Sequence, residues 1–389
     1  MDRIYLDYAA TTPVAPRVLD AMLPYFSDTF GNPSSVHRYG QRAEAVVDSA
    51  RETVASILNC RPDEIIFTSC GSEADNLALR GAALAAREKT GANWILTART
   101  EHHAVIRTVE QLEKHYGFQV EWLDVDEFGM VHPETVEKAI CHATALVSVM
   151  YANNEIGTLN PIREIAEICH RNGVLFHTDA VQAAAYLPVD VKSLDTDLLS
   201  LGAHKFYGPK GVGALYVRKG AALIPHLSGG GQEFGLRAGT HNVPYIVGFA
   251  EALRLTAAER DQRIAHVKPL RDRILGAVLE EIPDSRITGH PESRLPNHAS
   301  FAFKDVDGNL LLTLLDAAGF ACSSGSACKT GNPEPSDVLT NLGLPREWAL
   351  GSLRVTLGVD TTPAHVDAFL KTLPPLVQKA RDLTGDKRR

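Results

Sequence analysis

The sequence predicts an α/β fold with two domains. The large domain is built on a mostly parallel mixed sheet flanked by helices, and the smaller domain is α+β. Short β-rich runs alternate with amphipathic helical patterns up to residue 252, which is typical of repeated βα units, and this pattern changes from residue 253 onward. The chain has 389 residues, more than the ~250–300 that one hydrophobic core usually serves.

The large domain is predicted at residues 15–252. Strands are predicted at Ile65–Ser69, Trp94–Thr97, Val120–Leu123, Ala145–Tyr151, Val174–His177, Asp197–Leu201 and Val212–Val217. Between them, apolar residues recur at three- and four-residue spacing, which predicts helices at Ala43–Leu58, Glu73–Arg87, Ala104–His115 and Ile162–Arg171. Because parallel strands need long crossover connections, which are usually helical, this order favours a mostly parallel sheet.

The small domain is predicted at residues 1–14 and 253–389. Its predicted elements are a long charged helix over Arg254–Glu281, a strand at His298–Phe303, a helix near Asn309–Ala318 and a closing helix around Ala364–Leu383. The glycine cluster Ser228–Gly231 and the segment Gln232–Pro244 precede this change. We interpret them as a loop exposed near the domain or subunit boundary.

Composition argues against several classes of protein. The 39 basic and 47 acidic residues give a net charge of −8 and a pI near 6.0, so we expect no direct binding of nucleic acid or of anionic membranes. No apolar run is long enough to cross a membrane, and Arg3 and Asp7 lie where a signal peptide needs apolar residues. The six cysteines are sparse and form no Cys-x-x-Cys pair, which argues against a disulfide framework and a zinc site. We therefore expect a cytoplasmic protein.

Polar residues follow five of the predicted strands. Ligands in open α/β sheets bind beyond the carboxyl ends of the strands, so we expect these residues to line one crevice. They are Cys70–Glu73, Glu101–His103, Asn153–Glu155, Asp179 with Gln182, and Gly202–Lys205. The first group also opens a predicted helix, whose free N–H groups and positive dipole end favour an anion.

These residue types suit pyridoxal phosphate. A lysine can form an imine with the aldehyde, a carboxylate can keep the pyridine nitrogen protonated, an imidazole can stack on the ring, and a helix N-terminus can hold the phosphate. Simpler interpretations stay open. Lys205 taken alone is more often a surface lysine, Asp179 is equally a helix N-cap, and adjacent His102 and His103 cannot both face the crevice. The two asparagines after the fourth predicted strand could be turn residues.

Eight short motifs resemble, in the same order, those of the cysteine desulfurases, and the similarity runs from residue 4 to about residue 383. They are Tyr5–Pro13, Gly31–Ser34, Thr100–His102, Asn153–Gly157, His177–Ala180, His204–Gly211, Arg237–Thr240 and Ser323–Cys328. The last motif, followed by Glu334–Ser336, resembles the long-loop type used in iron–sulfur cluster assembly. The resemblance implies a class V aminotransferase-like enzyme, with the fold-type I architecture of pyridoxal-phosphate enzymes, that forms a homodimer.

The resemblance also implies roles in holding pyridoxal 5′-phosphate. Lys205 would be the Schiff-base lysine and then the base at the substrate Cα. Asp179 would pair with the pyridine nitrogen, and His102 would stack on the ring. The other contacts would come from Gln182 and Asn153 near the phenolic oxygen, and from Gly71, Ser72, His204 and the partner subunit's Thr240 at the phosphate.

The implied substrate is L-cysteine, converted to L-alanine. Arg354 would hold its carboxylate with a bidentate guanidinium, together with Asn153. Cys328 would be the nucleophile that takes the sulfur as a persulfide and passes it to an acceptor protein. A free cysteine is commonly a buried hydrophobe, but the small, polar run around Cys328 and the charge of Lys329 favour a reactive thiolate.

The sulfur acceptor is left open by the sequence. Iron–sulfur cluster assembly, tRNA thiolation and DNA modification all begin with such a persulfide. No fixed metal site is expected, and the resemblance allows Cys328 to share an iron–sulfur cluster transiently. An aminotransferase or a β-lyase acting on another small amino acid is the alternative function, against which Cys328 argues. A nicotinamide-dependent oxidoreductase is disfavoured because no Gly-x-Gly-x-x-Gly follows the early strands.

Two positions depart from the family pattern. Gly202 lies three residues before Lys205, where many relatives have a hydroxyl residue, so one side-chain contact to the phosphate is expected to be absent. The run Ser69–Ser72 replaces the frequent Gly-Ala-Thr and keeps a hydroxyl at Ser72. We expect cofactor binding to survive both changes, because backbone N–H groups of the helix start can bind the phosphate.

Overall fold

A computed structural model describes residues 3–325 and 334–387. Its strands are β1 (Ile4–Tyr5), β2 (Ile65–Thr68), β3 (Trp94–Ala98), β4 (Gln119–Leu123), β5 (Thr144–Ser148), β6 (Leu175–Asp179), β7 (Leu198–Gly202), β8 (Gly213–Val217), β9 (Ser285–Ile287), β10 (His298–Phe303), β11 (Phe320–Ala321) and β12 (Ser352–Thr356). Its helices are α1 (Pro16–Met22), α2 (Pro24–Ser27), α3 (Arg38–Leu58), α4 (Gly71–Thr90), α5 (His103–Tyr116), α6 (Pro133–Ala139), α7 (Ile162–Arg171), α8 (Val191–Leu194), α9 (Val243–Glu281), α10 (Gly308–Ala317), α11 (Asp337–Asn341), α12 (Arg346–Ala349) and α13 (Pro363–Lys387).

The central sheet has the strand order β2-β8-β7-β6-β5-β3-β4. Neighbouring strands pair in parallel except at β8, which runs antiparallel to both β2 and β7. The predicted mostly parallel mixed sheet is therefore confirmed. All strands of this sheet except β8 point the same way, so the polar residues that follow β2, β3, β5, β6 and β7 meet at one edge.

The two faces of the sheet bury alternate residues of each strand. In β2, Ile66 packs into the apolar cluster that contains α4 and α5, whereas Phe67 packs into the larger cluster with α3, α7 and α9. Leu198 and Leu199 of β7 divide in the same way. Since successive strand residues point to opposite faces, near-continuous apolar strands require helices on both sides.

Helix α9 runs without a break from the central sheet to the second part of the chain. It starts at Val243, within the segment predicted as a loop, because Asn242 caps its first turn and Pro244 is tolerated there. The proposed domain boundary at residue 253 lies inside this helix. The division into 15–252 and 1–14 plus 253–389 stays a proposal. No helix in the described ranges is both long and apolar enough to cross a membrane.

Two small sheets complete the described chain. Strand β10 pairs antiparallel with both β12 and β9, and the N-terminal strand β1 pairs in parallel with β11. The chain that leaves β1 is thereby attached to the C-terminal elements before it turns toward the central sheet. A bridge between Asp7 and Thr356 of β12 extends this attachment.

A buried charge cluster ties the 228–242 loop to the central sheet. Glu233 accepts hydrogen bonds from Arg51 Nη2 at 2.7 Å, from the backbone N–H of Phe67 at 2.8 Å and from His241 Nε2 at 2.7 Å. The Glu233 side chain is 1% exposed and the Arg51 side chain 7%. Each partner would be costly to leave alone, because a buried charge without its counter-ion loses hydration without compensation.

We expect Glu233→Ala to lower the free energy of unfolding by about 3–5 kcal/mol, because it leaves the buried Arg51 charge unpaired. Urea denaturation followed by circular dichroism measures the loss. The matched control is Glu251→Ala, which breaks the surface pair with Arg254 and should cost less than about 1 kcal/mol. Equal losses in the two variants would show that the cluster contributes no more than an exposed pair.

Candidate active site

A cavity of about 240 Å³ opens at the carboxyl-terminal edge of the central sheet. Residues that follow β2, β3, β5, β6 and β7 line it, joined by the N-terminal segment and by β12. Among the site residues predicted from the sequence, the cavity brings together Gly71, Ser72, His102, Asp179, Gln182, His204, Lys205 and Arg354. The remaining lining residues are Ala9, Ala10, Cys70, Asp75, Met150, Asn154 and Val181.

Lys205 lies in the turn after β7 with its amino group inside the cavity. Its Nζ donates to the carbonyl oxygens of Ala9 at 2.6 Å and Ala10 at 2.8 Å. Burial, followed by the positive charge of Arg354, lowers the pKa of Lys205 to about 8, against the opposing effect of Asp179 and Asp7. Lys205 therefore gives up its proton far more readily than a surface lysine does.

The backbone around Lys205 is held by the N-terminal segment. Thr12 donates its N–H to the carbonyl oxygen of His204 at 2.9 Å, and Thr12 Oγ1 accepts from the N–H of Tyr207 at 2.8 Å. Tyr207 has a positive φ of 67°, a region that bulky residues rarely adopt. The Tyr207 hydroxyl also accepts from the N–H of Val359 at 3.0 Å. These bonds offset the strain and keep the Lys205 side chain directed into the cavity.

An anion cradle forms where β2 ends and α4 begins. The first turn of a helix leaves backbone N–H groups without intrahelical partners, and the dipole of α4 places partial positive charge there. Gly71 starts this helix, and a Cβ at its position would lie 2.6 Å from Val181 Cγ2. Glycine is therefore needed for the close packing of this turn. The exposed Ser72 adds a hydroxyl beside it.

His204 lines the same end of the cavity, and Gly202 packs beside Gly71 behind it. Burial, helped by Lys205 and Lys210, lowers the pKa of His204 to about 4, so its imidazole is neutral near pH 7. A Cβ at Gly202 would lie 3.4 Å from the Gly71 nitrogen, which is ordinary contact. The fold thus has room for the hydroxyl residue of the relatives, and this chain supplies only backbone there.

Asp179 ends β6 with its carboxyl inside the cavity. It is 5% exposed, and its Oδ1 accepts the N–H of Val181 at 2.9 Å. This oxygen caps a turn and not a helix, because the short helix that follows starts after Gln182. Asp179 also lines the cavity, and its pairing with a pyridine nitrogen stays a prediction. Burial raises the pKa of Asp179, and the nearby His102 and Lys205 oppose that rise.

His102 is the histidine of the adjacent pair that lines the cavity. Its Nδ1 accepts the N–H of Ala104 at 3.1 Å as the N-cap of α5, so a neutral ring carries its proton on Nε2. Burial of the ring lowers the pKa of His102, and Lys205 and His103 add to this effect against Asp179. The ring of His103 instead points toward Asp337, whose Oδ2 is 3.8 Å from its Nε2.

Arg354 brings a guanidinium into the cavity from β12. Its Nη2 donates to Asp7 Oδ1 and its Nη1 to the carbonyl oxygen of Asn154, both at 2.9 Å. The Arg354 side chain is 9% exposed, and its Nε has no hydrogen-bond partner among the described residues. A buried cation with a spare donor is suited to binding a carboxylate.

Gln182 and the two asparagines differ in where their amides are used. Gln182 Nε2 donates to the carbonyl oxygen of Ala9 at 2.9 Å at the edge of the cavity. Asn153 uses its side chain within the protein, since Oδ1 accepts two backbone N–H groups and Nδ2 donates to the carbonyl oxygen of Thr100. Its neighbour Asn154 lines the cavity instead. The roles of Asn153 toward cofactor and substrate stay predictions.

Thr240 and Cys322 are described by the structure and are not among the residues that line this cavity. Cys328 lies outside the described residues. Thr240 is exposed in the protomer and does not line this cavity, so its role in a partner's site stays a prediction. Cys322 packs against the main core, and burial raises its pKa well above the usual value, which makes its thiol unreactive.

Glu155 connects the described residues on either side of the stretch 326–333. The Ser336 hydroxyl donates to Glu155 Oε2, and a Cβ at Gly325 would collide with the same oxygen. Burial raises the pKa of Glu155 to about 7, against the opposing hydrogen bond from Ser336 and the charge of Arg354. Glu155 therefore bonds Ser336 on one side of the stretch 326–333 and packs closely against Gly325 on the other side.

Sequence reasoning missed Asp75, which lines the cavity, and it assigned no role to Glu101. Asp75 is 1% exposed and Glu101 is 3% exposed, and Glu101 Oε1 accepts the N–H of Met150 at 2.6 Å. A signal for Asp75 existed, because it follows Gly71 by four residues and therefore shares its helix face. Glu101 gave no comparable signal beyond its place after a strand.

The residues of the cavity fit pyridoxal phosphate. A cradle that a Cβ would fill is present at Gly71, a neutral imidazole lies at His204, and a lysine of lowered pKa lies opposite the buried Asp179 carboxyl. The cradle and the imidazole suit the phosphate, the lysine suits the aldehyde, and the carboxyl suits the pyridine nitrogen.

Comparisons with known proteins agree with this fit. The profile of the family described as aminotransferase class-V matches residues 4–369. A cysteine desulfurase IscS from Methanosarcina thermophila is 47% identical over 381 residues, which cover 98% of this chain and 93% of the relative. A solved NifS-like protein superposes with a TM-score of 0.90 at 37% identity, covering 97% of this chain and all of the other. The solved structure of SspA in complex with cysteine has a TM-score of 0.79 at 36% identity, covering 91% of this chain and 98% of SspA.

The family match spans almost the whole chain, and the relatives match it over nearly their full lengths. The chain therefore belongs to the aminotransferase class-V family and, within it, to the pyridoxal-phosphate-dependent cysteine desulfurases.

Proposed function

We propose that this protein converts L-cysteine to L-alanine and transfers the sulfur through Cys328 to an acceptor. The observation that carries the proposal is the cavity in which the Lys205 amino group, the Asp179 carboxyl and the Arg354 guanidinium meet beside the start of α4. Its relatives named cysteine desulfurase and the neighbour solved with cysteine support the choice of substrate.

The cofactor end of the site is formed by the start of α4 and by the residues at the ends of β6 and β7. Gly71, Ser72 and His204 would hold the phosphate, Asp179 the pyridine nitrogen, and Lys205 the aldehyde carbon. Bound pyridoxal phosphate supplies an electron-accepting ring that stabilises negative charge at the substrate Cα. His102, which is hydrogen-bonded at Nδ1, presents its ring from the end of β3.

Lys205 moves the proton at the substrate Cα. The amino group is aimed by Thr12 and by the carbonyl oxygens of Ala9 and Ala10, and its lowered pKa lets it exist as a neutral base near pH 8. A general base works best when its pKa is close to the operating pH.

Arg354 orients the substrate. A cysteine carboxylate beside the guanidinium would replace part of the contact with Asp7. Because the pair with Asp7 is already buried, the guanidinium is held in place before the substrate arrives, which limits the entropy lost on binding.

Cys328 accepts the sulfur. In this step its thiolate forms an S–S bond with the substrate sulfur, and the bond between that sulfur and the substrate Cβ breaks. The Cβ keeps the electron pair and takes up a proton, which leaves alanine. The described chain leading to Cys328 is anchored to the site, because Ser323 and Arg354 exchange backbone hydrogen bonds at 3.2 and 2.7 Å.

The proposal also covers where the protein acts, its oligomeric state and the use of its persulfide. The protein would act as a cytoplasmic homodimer in which the partner's Thr240 completes the phosphate site. The persulfide would serve iron–sulfur cluster assembly or another thiolation through an acceptor protein. The resemblance of the Ser323–Cys328 motif to long-loop desulfurases supports this setting.

We expect purified protein with L-cysteine and a reductant to form alanine and sulfide in equal amounts, and Cys328→Ser to lower alanine formation by about 10²-fold or more. The cofactor absorbance of the variant should stay unchanged. Cys322→Ser is the matched control, because its thiol packs against the core and should not affect sulfur transfer. Full alanine formation in Cys328→Ser would exclude Cys328 as the nucleophile and favour a β-lyase or an aminotransferase.

A further prediction concerns the rate at which the cofactor-free protein captures pyridoxal phosphate on Lys205. This rate should rise with pH and level off above a midpoint of about 8, because only the neutral amine attacks an aldehyde. Borohydride trapping followed by mass spectrometry measures the capture. Lys205→Ala should show none, whereas Lys210→Ala, which removes an exposed lysine of the same loop, should keep the profile. A midpoint near that of a surface lysine would contradict the lowered pKa.

We also expect Arg354→Lys to lower kcat/KM for L-cysteine by about 10–100-fold, because lysine cannot form the bidentate pair with the substrate carboxylate. Cofactor content should stay at the wild-type level. Cysteamine, which has no carboxylate, provides the control for cofactor-site damage, and its reaction with the bound cofactor should proceed equally in both proteins. A fall for both amines would mean that Arg354 supports the cofactor site in general.

A further inference from the structure

The two buried carboxyls of the cavity lie close to each other. Asp75 and Asp179 each have a carboxylate oxygen within 4.8 Å of the other and of a ring nitrogen of His102. Both line the cavity, and they are 1% and 5% exposed. Asp75 Oδ1 has no hydrogen-bond partner among the described residues, although its carboxyl also faces the hydroxyl of Ser200.

Asp75 and Asp179 form an acid pair, and the groups that face Asp75 bring no positive charge that could neutralise it as a second carboxylate. Asp75 faces Glu101 and Cys70, which add no positive charge, and His177, whose Nε2 is 3.6 Å away. Burial lowers the pKa of His177 to about 3, and both its ring nitrogens are already bonded to the hydroxyls of Ser148 and Ser200, so it stays neutral.

The remaining groups act on Asp179. Its cationic neighbours are His102 and Lys205, and both have lowered pKa values. Two adjacent carboxyls in a buried site cannot both ionise at little cost, so one proton is shared between them. Burial, followed by the mutual repulsion, raises the pKa of Asp75, and burial likewise raises that of Asp179.

We propose that Asp75 and Asp179 share one proton in the cofactor-free protein and pass it to the ring nitrogen of pyridoxal phosphate when the cofactor binds. The carboxyl O–H bond breaks, the nitrogen lone pair takes the proton, and both carboxyls become carboxylates facing one cationic ring. The acid pair and the ring nitrogen together therefore keep the same charge during the transfer, and the bound phosphate adds its own negative charge to the site. Asp75 is a positioning residue that acts through Asp179. This inference rests on the proposed function, because it needs a pyridine ring in the cavity.

The experiment is calorimetric titration of cofactor-free protein with pyridoxine 5′-phosphate, which carries the ring and the phosphate but has no aldehyde to react with Lys205. Titration in buffers of different ionisation enthalpy gives the number of protons exchanged with solvent on binding. Only the wild-type site holds the shared proton. We therefore expect Asp75→Asn to differ from wild type by about one proton at any pH where both bind. Asparagine keeps the size of the side chain and can still accept from Ser200.

Glu101→Gln is the matched control, because it removes another buried acid whose oxygen is held by the Met150 N–H. Its proton count should equal the wild-type value. Infrared difference spectra of the wild-type protein give a measurement that needs no variant, since a carboxylic acid carbonyl band should disappear when the ring binds.

The possible results distinguish a failure of the shared-proton proposal from a failure of the proposed cofactor site. Binding with equal proton counts in wild type and Asp75→Asn, and no loss of an acid band, would overturn the shared proton while leaving the cofactor site intact. A changed count in Glu101→Gln but not in Asp75→Asn would move the proton to another acid and overturn the role of Asp75. No binding to the wild-type protein would overturn the cofactor assignment, and the acid pair with it.

Discussion

The site depends on one contact, the crossing of the N-terminal segment over the turn that carries Lys205. Ala9 and Ala10 offer their carbonyl oxygens to the amino group, and Thr12 bonds the backbone on both sides of it. The segment starts from β1, which pairs with β11, and it reaches the cavity at Asp7, the partner of Arg354. The Lys205 turn from the central sheet and Arg354 from a small sheet are thus brought together by a few residues of extended chain.

Electrostatics then determine what these groups can do. The cavity combines a lysine and an arginine with two buried carboxyls, and the charges of Arg354 and Asp179 act in opposite directions on the pKa of Lys205. Removal from water disfavours every charge, so the lysine approaches neutrality and a carboxyl retains its proton. The resulting site is poised for proton movement without the large net charge that would be unstable in a buried place.

The sequence predicted correctly those features that depend on the spacing of apolar residues or on a residue's place after a strand. Helix α7 begins and ends where the apolar spacing places it, and the strand ends of the central sheet gather the polar residues that were expected there. The start of α9 was misplaced because Pro244 and the preceding glycines resemble a loop, whereas proline is tolerated in a first helical turn. Asn153 and Asn154 could not be separated, since the turn that directs one inward depends on contacts with Thr100 and Arg354 far along the chain. The burial of Asp75 likewise depends on how α4 packs on the sheet.

The bridge between Ser323 and Arg354 has an evolutionary consequence. It fixes the register of β12 on the chain just before the stretch 326–333, and Ser336 begins a new helix just after it, with its hydroxyl tied to Glu155. Between these two anchors, chain length is free to change without altering which side chain of β12 faces the cavity. Strand β12 is also held in register by its five residue pairs with β10, so the direction of Arg354 does not depend on the length of this stretch. The length of the stretch that contains Cys328 can therefore differ between relatives while Arg354 keeps its place in the cavity.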